Sequence, residues 1–140
     1  MSVGKIIVTP LNRINVAGGD VLHALKKTDE GFVDFGEAYF SMIESGAIKS
    51  WKRHLRMTLN LVVAVGLVRF VFVDSAGVRR EESIGSNRYV RLTVPPGIWF
   101  AFEGLSVPYS LVLNITDIAH DPQEIERKEL NEYINYWVQQ

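Results

Sequence analysis

The chain of 140 residues contains no cysteine. That excludes disulfides, thiolate metal ligands and a cysteine nucleophile, and it fits a reducing compartment. Excess charge of either sign is also missing. Fifteen basic against sixteen acidic side chains leave a net charge of −1, so no global field draws the protein to nucleic acid or to an anionic membrane. No apolar run approaches the ~18 residues of a membrane helix. The N-terminal Ile6-Ile7-Val8 run is too short for the core of a signal peptide. Repeats, low-complexity tracts and linkers are absent too, as are an acyl-transfer triad, a phosphate-binding glycine loop and a nucleic-acid motif. These absences predict one domain over residues 1–140, soluble and cytoplasmic, with no nucleic-acid or membrane partner.

What is present reads mostly as short strands. Ile6-Ile7-Val8 precedes Pro10, and residues 32–43 mix apolar, polar and aromatic side chains as a strand pair or one bent strand. Residues 59–65 are continuously apolar, Gly66 ends them and residues 67–73 follow at once, which predicts a hairpin or a bend at Gly66. Asp74-Ser75-Ala76-Gly77 is turn chemistry. Residues 89–94 alternate until Pro95-Pro96, which cannot donate to a ladder. Residues 99–102 and 109–115 complete the set. Many short strands punctuated by Gly and Pro predict an all-β sandwich or barrel. Two helices are expected beside it. A short one covers residues 20–27 with Asp20 as N-cap. A C-terminal one has Asp121 as N-cap, Pro122 in the first turn and Glu124 closing a capping box. Ile125, Leu130, Tyr133, Ile134 and Trp137 then form a stripe against the barrel wall or a partner subunit.

The segment "GAIKSWKRHLRMTLNLVVAVG" concentrates the charge that the rest of the chain lacks. Lys49, Lys52, Arg53, Arg56 and His54 fall within eight residues, just before the apolar run. In one continuous strand, Ser50, Lys52, His54, Arg56, Thr58 and Asn60 share a face. Trp51, Leu55, Leu59 and Leu61, with Lys49, Arg53 and Met57, share the other. The polar face either meets solvent, as in an ordinary exposed strand, or lines a ligand cavity. In a cavity the cations need an anion such as a phosphate, because the nearest acids in sequence, Glu44 and Asp74, lie outside the stretch.

The spacing resembles the first cupin motif: Gly46, five residues, Lys52, one residue, His54, and later Gly66. Lys52 stands where a histidine is usual and Leu59 where an acid is usual. Pro95-Pro96-Gly97-Ile98-Trp99-Phe100 resembles the second motif, with Phe100 at its histidine position. Of the usual metal ligands only His54 remains, and one imidazole does not hold a metal, so no metal and no cofactor are expected.

The closer resemblance is to the metal-free cupins acting on nucleotide-linked keto-sugars, the dTDP-4-dehydrorhamnose 3,5-epimerases and dTDP-sugar 3,4-ketoisomerases (RmlC-like). "SGAIKSWKRH", "VGLVRFVFVD" and "VPPGIWFAFEGLS" carry it, in order, over about residues 35–127. The resemblance implies a cupin jelly-roll barrel and a homodimer. It also implies an epimerase or isomerase of a dTDP-type 4-keto-6-deoxy sugar in deoxysugar or surface-polysaccharide biosynthesis. Lys52 and His54 match the ketoisomerases' pair of catalytic histidines, Lys49 the epimerase's phosphate-contacting arginine, and Asn60 a lysine further along that strand. The epimerase's catalytic tyrosine has no counterpart in residues 110–121, and its histidine-pairing aspartate belongs to a C-terminal extension replaced here by the Pro122 segment.

Removing a proton beside a ketone needs a base near the working pH and a positive group on the developing oxyanion. His54 serves with little tuning. Lys52 serves if burial and neighbouring cations lower its pKa. The expected catalytic pair is therefore His54 and Lys52. Lys49, Arg56, Asn60, Glu37 and Tyr39 are the candidates for substrate binding. A non-catalytic cupin that binds a sugar or nucleotide sugar, and a partner-binding module with the basic strand in solvent, are the competing readings.

Overall fold

The computed structural model describes residues 1–138. Its strands are Ile7–Pro10 (β1), Arg13–Ile14 (β2), Val21–Leu22 (β3), Glu37–Glu44 (β4), Ile48–His54 (β5), Leu59–Val65 (β6), Leu67–Val73 (β7), Arg79–Gly85 (β8), Val90–Val94 (β9), Trp99–Gly104 (β10), Tyr109–Thr116 (β11) and Ile125–Arg127 (β12). Two five-stranded antiparallel sheets face one another. The first runs β1-β9-β6-β11-β4 and the second β12-β5-β10-β7-β8, while β2 and β3 form a separate small hairpin. This is the cupin jelly roll.

Alternation along each strand builds the interior. Leu59, Leu61 and Val63 of β6, Leu92 of β9 and Val112 of β11 meet Phe70 and Phe72 of β7 and Phe100 and Phe102 of β10. The chain crosses between sheets at Gly66, so the apolar run is a bend, with β6 in one sheet and β7 in the other. Gly66 has φ 88°, and an added Cβ would sit 2.3 Å from Ser110 Oγ. Glycine is the residue that fits there.

The expected helix over residues 20–27 does not form. Val21–Leu22 pairs with Arg13–Ile14, and the following segment crosses the outer face of the first sheet as a loop. Its backbone groups find partners in the sheet. Tyr89 donates to the His23 carbonyl, and buried Arg91 donates to the Ala24 and Glu30 carbonyls and to Asp29. An isolated short helix has no such compensation.

The C-terminal segment also departs from one continuous helix. Asp121 does cap, accepting from the Gln123 N–H, but only a 3-10 turn follows at Pro122–Glu124. The chain then pairs with β5 as β12, makes a second 3-10 turn at Leu130–Tyr133, and enters a short helix, Ile134–Val138 (α1). The capping box belongs to Glu129 and Glu132. Leu130, Tyr133 and Trp137 cover Trp51, Val71, Val73, Trp99 and Ala101 on the outer face of the second sheet.

Candidate active site

The basic strand ends at His54. Residues 55–58 form a corner that carries the chain from β5 in the second sheet to β6 in the first. The even-numbered positions from 50 to 60 therefore do not share one face. Register with β10 defines the face of β5. Lys52 lies opposite Phe100 and Lys49 opposite Phe102, both interior aromatics. A bulge between these pairs shifts the alternation by one residue, so Lys49 joins Lys52 and His54 on the inner face instead of facing away from them. Trp51 turns to the outer cluster, and Arg53 lies over Trp99 at 4.8 Å.

His54 is buried and stacks on Phe100, with ring centroids 6.3 Å apart. Its Nδ1 is held by Glu124, a carboxylate only 2% exposed. The other Glu124 oxygen accepts from the N–H groups of Leu55, Arg56 and Met57 at 3.1–3.2 Å. One buried acid thus orients the imidazole and closes the strand corner. Burial alone would raise the Glu124 carboxyl. The His54 hydrogen bond and the Arg56 and Met57 N–H groups outweigh it and leave Glu124 below the usual glutamate value. The local sequence marks Glu124 as a capping-box residue, whereas the structure makes it the partner of His54. The available signal was the family's use of a C-terminal acid to pair with a histidine.

The counterions that the stretch lacks come from this same C-terminal segment. Arg53 pairs with Glu126, and Arg56 with Asp121 at 3.0 Å. Arg56 is 61% exposed at the corner, outside the inner face on which the sequence grouped it. Asn60 lies on the other side of β6 from the core residues Leu59 and Leu61. It donates to the Gly31 carbonyl and accepts from Thr93 at 2.6 Å, under the loop. Neither sits with His54.

The inner cations are different. Among the described residues, no carboxylate pairs with Lys49, Lys52 or Arg127. Arg127 is opposite Lys52 in the β12–β5 register. Lys49 donates to Ser41 Oγ at 2.6 Å and to the Met42 carbonyl at 2.8 Å, and burial lowers its pKa. Burial, then the charges of Arg127 and Lys49, hold the Lys52 ammonium below the ordinary lysine range. A cavity of about 350 Å³ at this sheet edge is lined by Lys49, Lys52, Arg127, Lys128, Glu129 and Glu132, with Ser50 and Trp51. It includes the cations and not His54.

The β4 strand supplies the opposite wall. Ser41 and Tyr39 share the inward face of β4 with core Ile43, and the Tyr39 hydroxyl accepts from Asn114 Nδ2 at 3.0 Å. Buried Asn114 Oδ1 has no partner among the described residues. Glu37 is occupied by the His120 N–H at 2.7 Å. So β5 brings Lys49, Lys52 and His54 together, β4 adds Ser41 and Tyr39, and Glu124 and Arg127 join from the C-terminal segment. No group of three or more His, Asp or Glu side chains suited to a metal occurs among the described residues. No helix there is long and apolar enough to cross a membrane.

No family model matches the chain, and no curated protein sequence does. Solved structures do match. A dTDP sugar isomerase from Desulfovibrio desulfuricans G20 is 34% identical, with TM-score 0.87 over 89% of this chain and 84% of that one. QdtA, a sugar 3,4-ketoisomerase from Thermoanaerobacterium thermosaccharolyticum in complex with TDP, has TM-score 0.78 at 13% identity over 97% of both chains. A dTDP-4-dehydrorhamnose 3,5-epimerase from Bacillus anthracis with TDP and PPi bound has TM-score 0.79 at 18% identity, over 91% of this chain and 80% of that one. The last two share the fold.

Proposed function

The chain belongs to the dTDP-sugar isomerase family of RmlC-like cupins, a family of sugar-nucleotide epimerases and isomerases, and from that premise we propose that it moves protons beside the ketone of a dTDP-linked 4-keto-6-deoxy sugar without a metal. The observation that carries this reading is the His54–Glu124 pair on the inner face, beside the cations Lys49, Lys52 and Arg127, which pair with no carboxylate among the described residues. Glu124 holds Nδ1 and leaves Nε2 as the nitrogen that can meet a substrate. An imidazole so oriented can take a proton from a carbon next to a carbonyl and return it. The Glu124 carboxylate stabilises the imidazolium formed in between, and an amine or ammonium at Lys52 stands by the oxygen that gains charge.

The diphosphate belongs with the unpaired cations. Lys49, Lys52, Arg127 and Lys128 outnumber Glu129 and Glu132 in the lining of the sheet-edge cavity, and an excess of positive charge is satisfied by an anionic ligand. Tyr39 and Ser41 on β4, bonded to Asn114 and Lys49 on the inner side, are proposed to meet sugar hydroxyls. Arg56 and Asn60, engaged with Asp121 and Gly31, have no part in this arrangement. His54 and Lys52 are proposed for the catalytic roles. The fold is proposed to act as one domain and as a homodimer, within deoxysugar or surface-polysaccharide biosynthesis in the cytoplasm.

Proton–deuterium exchange tests the reading. In heavy water, dTDP-4-keto-6-deoxyglucose should gain deuterium at C3 or C5 with the wild-type chain. His54→Asn should slow this by about a hundredfold or more. Thermal stabilisation by the nucleotide sugar with no exchange would instead identify a binding protein that lacks turnover.

A further inference from the structure

Lys52 has features that proton shuttling by His54 does not require. It is half-buried on the inner face, two residues from His54 and opposite Phe100. Its neighbour Lys49 spends protons on Ser41 and Met42. Among the described residues Lys52 donates to no acceptor and pairs with no carboxylate, although Glu129 and Glu132 line the same cavity, and Arg127 faces it across the β12–β5 ladder. A lysine meant to stay an ammonium is normally held by an acceptor. A lysine beside an apolar wall and another cation is the arrangement that yields a neutral, nucleophilic amine. Its surroundings lower its pKa in that direction, burial first.

We propose that Lys52 forms a transient iminium with the ketone of the substrate, so that proton exchange runs through an enamine held on the protein. The inference rests on the keto-sugar reading above. The Nζ lone pair attacks the carbonyl carbon, and one N–H proton moves to the new alkoxide, giving a carbinolamine. Its hydroxyl, protonated by solvent, leaves as water, and the nitrogen lone pair closes the C=N⁺ bond. His54 then takes a proton from the adjacent carbon, and the C–H electrons flow into the iminium to give the neutral enamine. Return of a proton to either face restores the iminium, and water releases the ketone and the free amine. Nothing is oxidised or reduced, and the water lost is regained. The nitrogen stays on the original carbonyl carbon throughout, so this route inverts a neighbouring centre and leaves the ketone where it was.

Cyanoborohydride reduces iminium ions in preference to ketones, and it provides the test. The wild-type chain is incubated with dTDP-4-keto-6-deoxyglucose and sodium cyanoborohydride, then mapped by peptide mass spectrometry, with heavy-water exchange measured in parallel. The expected result is one covalent sugar adduct per chain on Lys52, and loss of exchange only when sugar and hydride are both present. Lys52→Arg, which keeps the charge and cannot form the iminium, should lose the adduct and about a hundredfold or more of the exchange. His54→Asn should lose exchange and keep the adduct, which separates a missing amine from a damaged fold. Exchange that proceeds with no adduct at Lys52, or that survives in Lys52→Arg, overturns the iminium and leaves the keto-sugar reading standing. Absence of both exchange and adduct overturns both. Labels scattered over surface lysines overturn the iminium as well.

Discussion

Glu124 joins stability and the proposed chemistry at a single residue. Its carboxylate holds His54 through one oxygen and three corner N–H groups through the other. Removing a buried charge partner leaves the opposing groups unpaired, so Glu124→Ala should cost about 3–5 kcal/mol in urea unfolding. Glu124→Gln keeps the shape and loses the charge. It should lower kcat by about a hundredfold with little change in KM, a split that a merely structural role would not produce. The sign of the pH dependence follows from the depressed Glu124 pKa. Its contribution is complete above the ordinary glutamate value and is lost as pH falls through the lower folded-state value. The stability gap between wild type and Glu124→Gln should therefore narrow on acidification below about pH 4.5. Equal gaps at pH 7 and pH 3 would contradict this. The His54 position was legible from motif spacing. Its partner was not, because Glu124 is 70 residues away and its local context, Asp121-Pro122-Gln123-Glu124, reads equally well as the start of a helix.

Strands were legible where apolar alternation or an apolar run met a Gly or Pro boundary, as at β6, β7, β9, β10 and β11. What failed were elements whose hydrogen bonds are long-range. Residues 20–27 carry a helix-start signal, yet Arg91 and Tyr89 capture their carbonyls. The bulge in β5 leaves no mark in the residue pattern, and it alone puts Lys49 on the same side as Lys52. Of the expected C-terminal stripe, Leu130, Tyr133 and Trp137 form a covering surface, whereas Ile134 is exposed and Ile125 lies in β12; the sequence left open whether the stripe covers the barrel or a partner. It covers the barrel. Trp137 packs against Trp51 at 6.3 Å, edge to face, and Arg69 lies 4.4 Å from its ring centroid. Trp137→Ala should therefore cost about 3–5 kcal/mol, measured by urea unfolding with the native far-UV spectrum retained. A loss below about 1 kcal/mol would mean that the tail is not part of the folded core.

Over the whole molecule, the outer face of the first sheet is covered unevenly. The β9 and β6 side lies under the loop that Arg91, Asn60 and Thr93 help secure. Among the described residues nothing covers the β11 and β4 side, with Phe40 65% exposed, Met42 57% and Val65, at the end of β6, 48%, and half-buried Leu111 and Leu113 between them. A contiguous apolar patch of this kind on a sheet that ends in an uncovered edge strand is where association occurs, and the proposed homodimer places a second copy there. Because β4 alternates, its outward Phe40 and Met42 share a strand with inward Ser41 and Tyr39. Clamping one face of the strand steadies the other. Phe40→Glu combined with Met42→Glu should then halve the mass seen by light scattering. It should also remove the concentration dependence of Tm that an associating native state shows. KM for the nucleotide sugar should rise while His54 and Glu124, on the opposite sheet and its edge, keep their geometry. A variant that remains a dimer of unchanged Tm would move the interface elsewhere. A clean monomer with wild-type KM would show that β4 holds its inner side chains in place unaided.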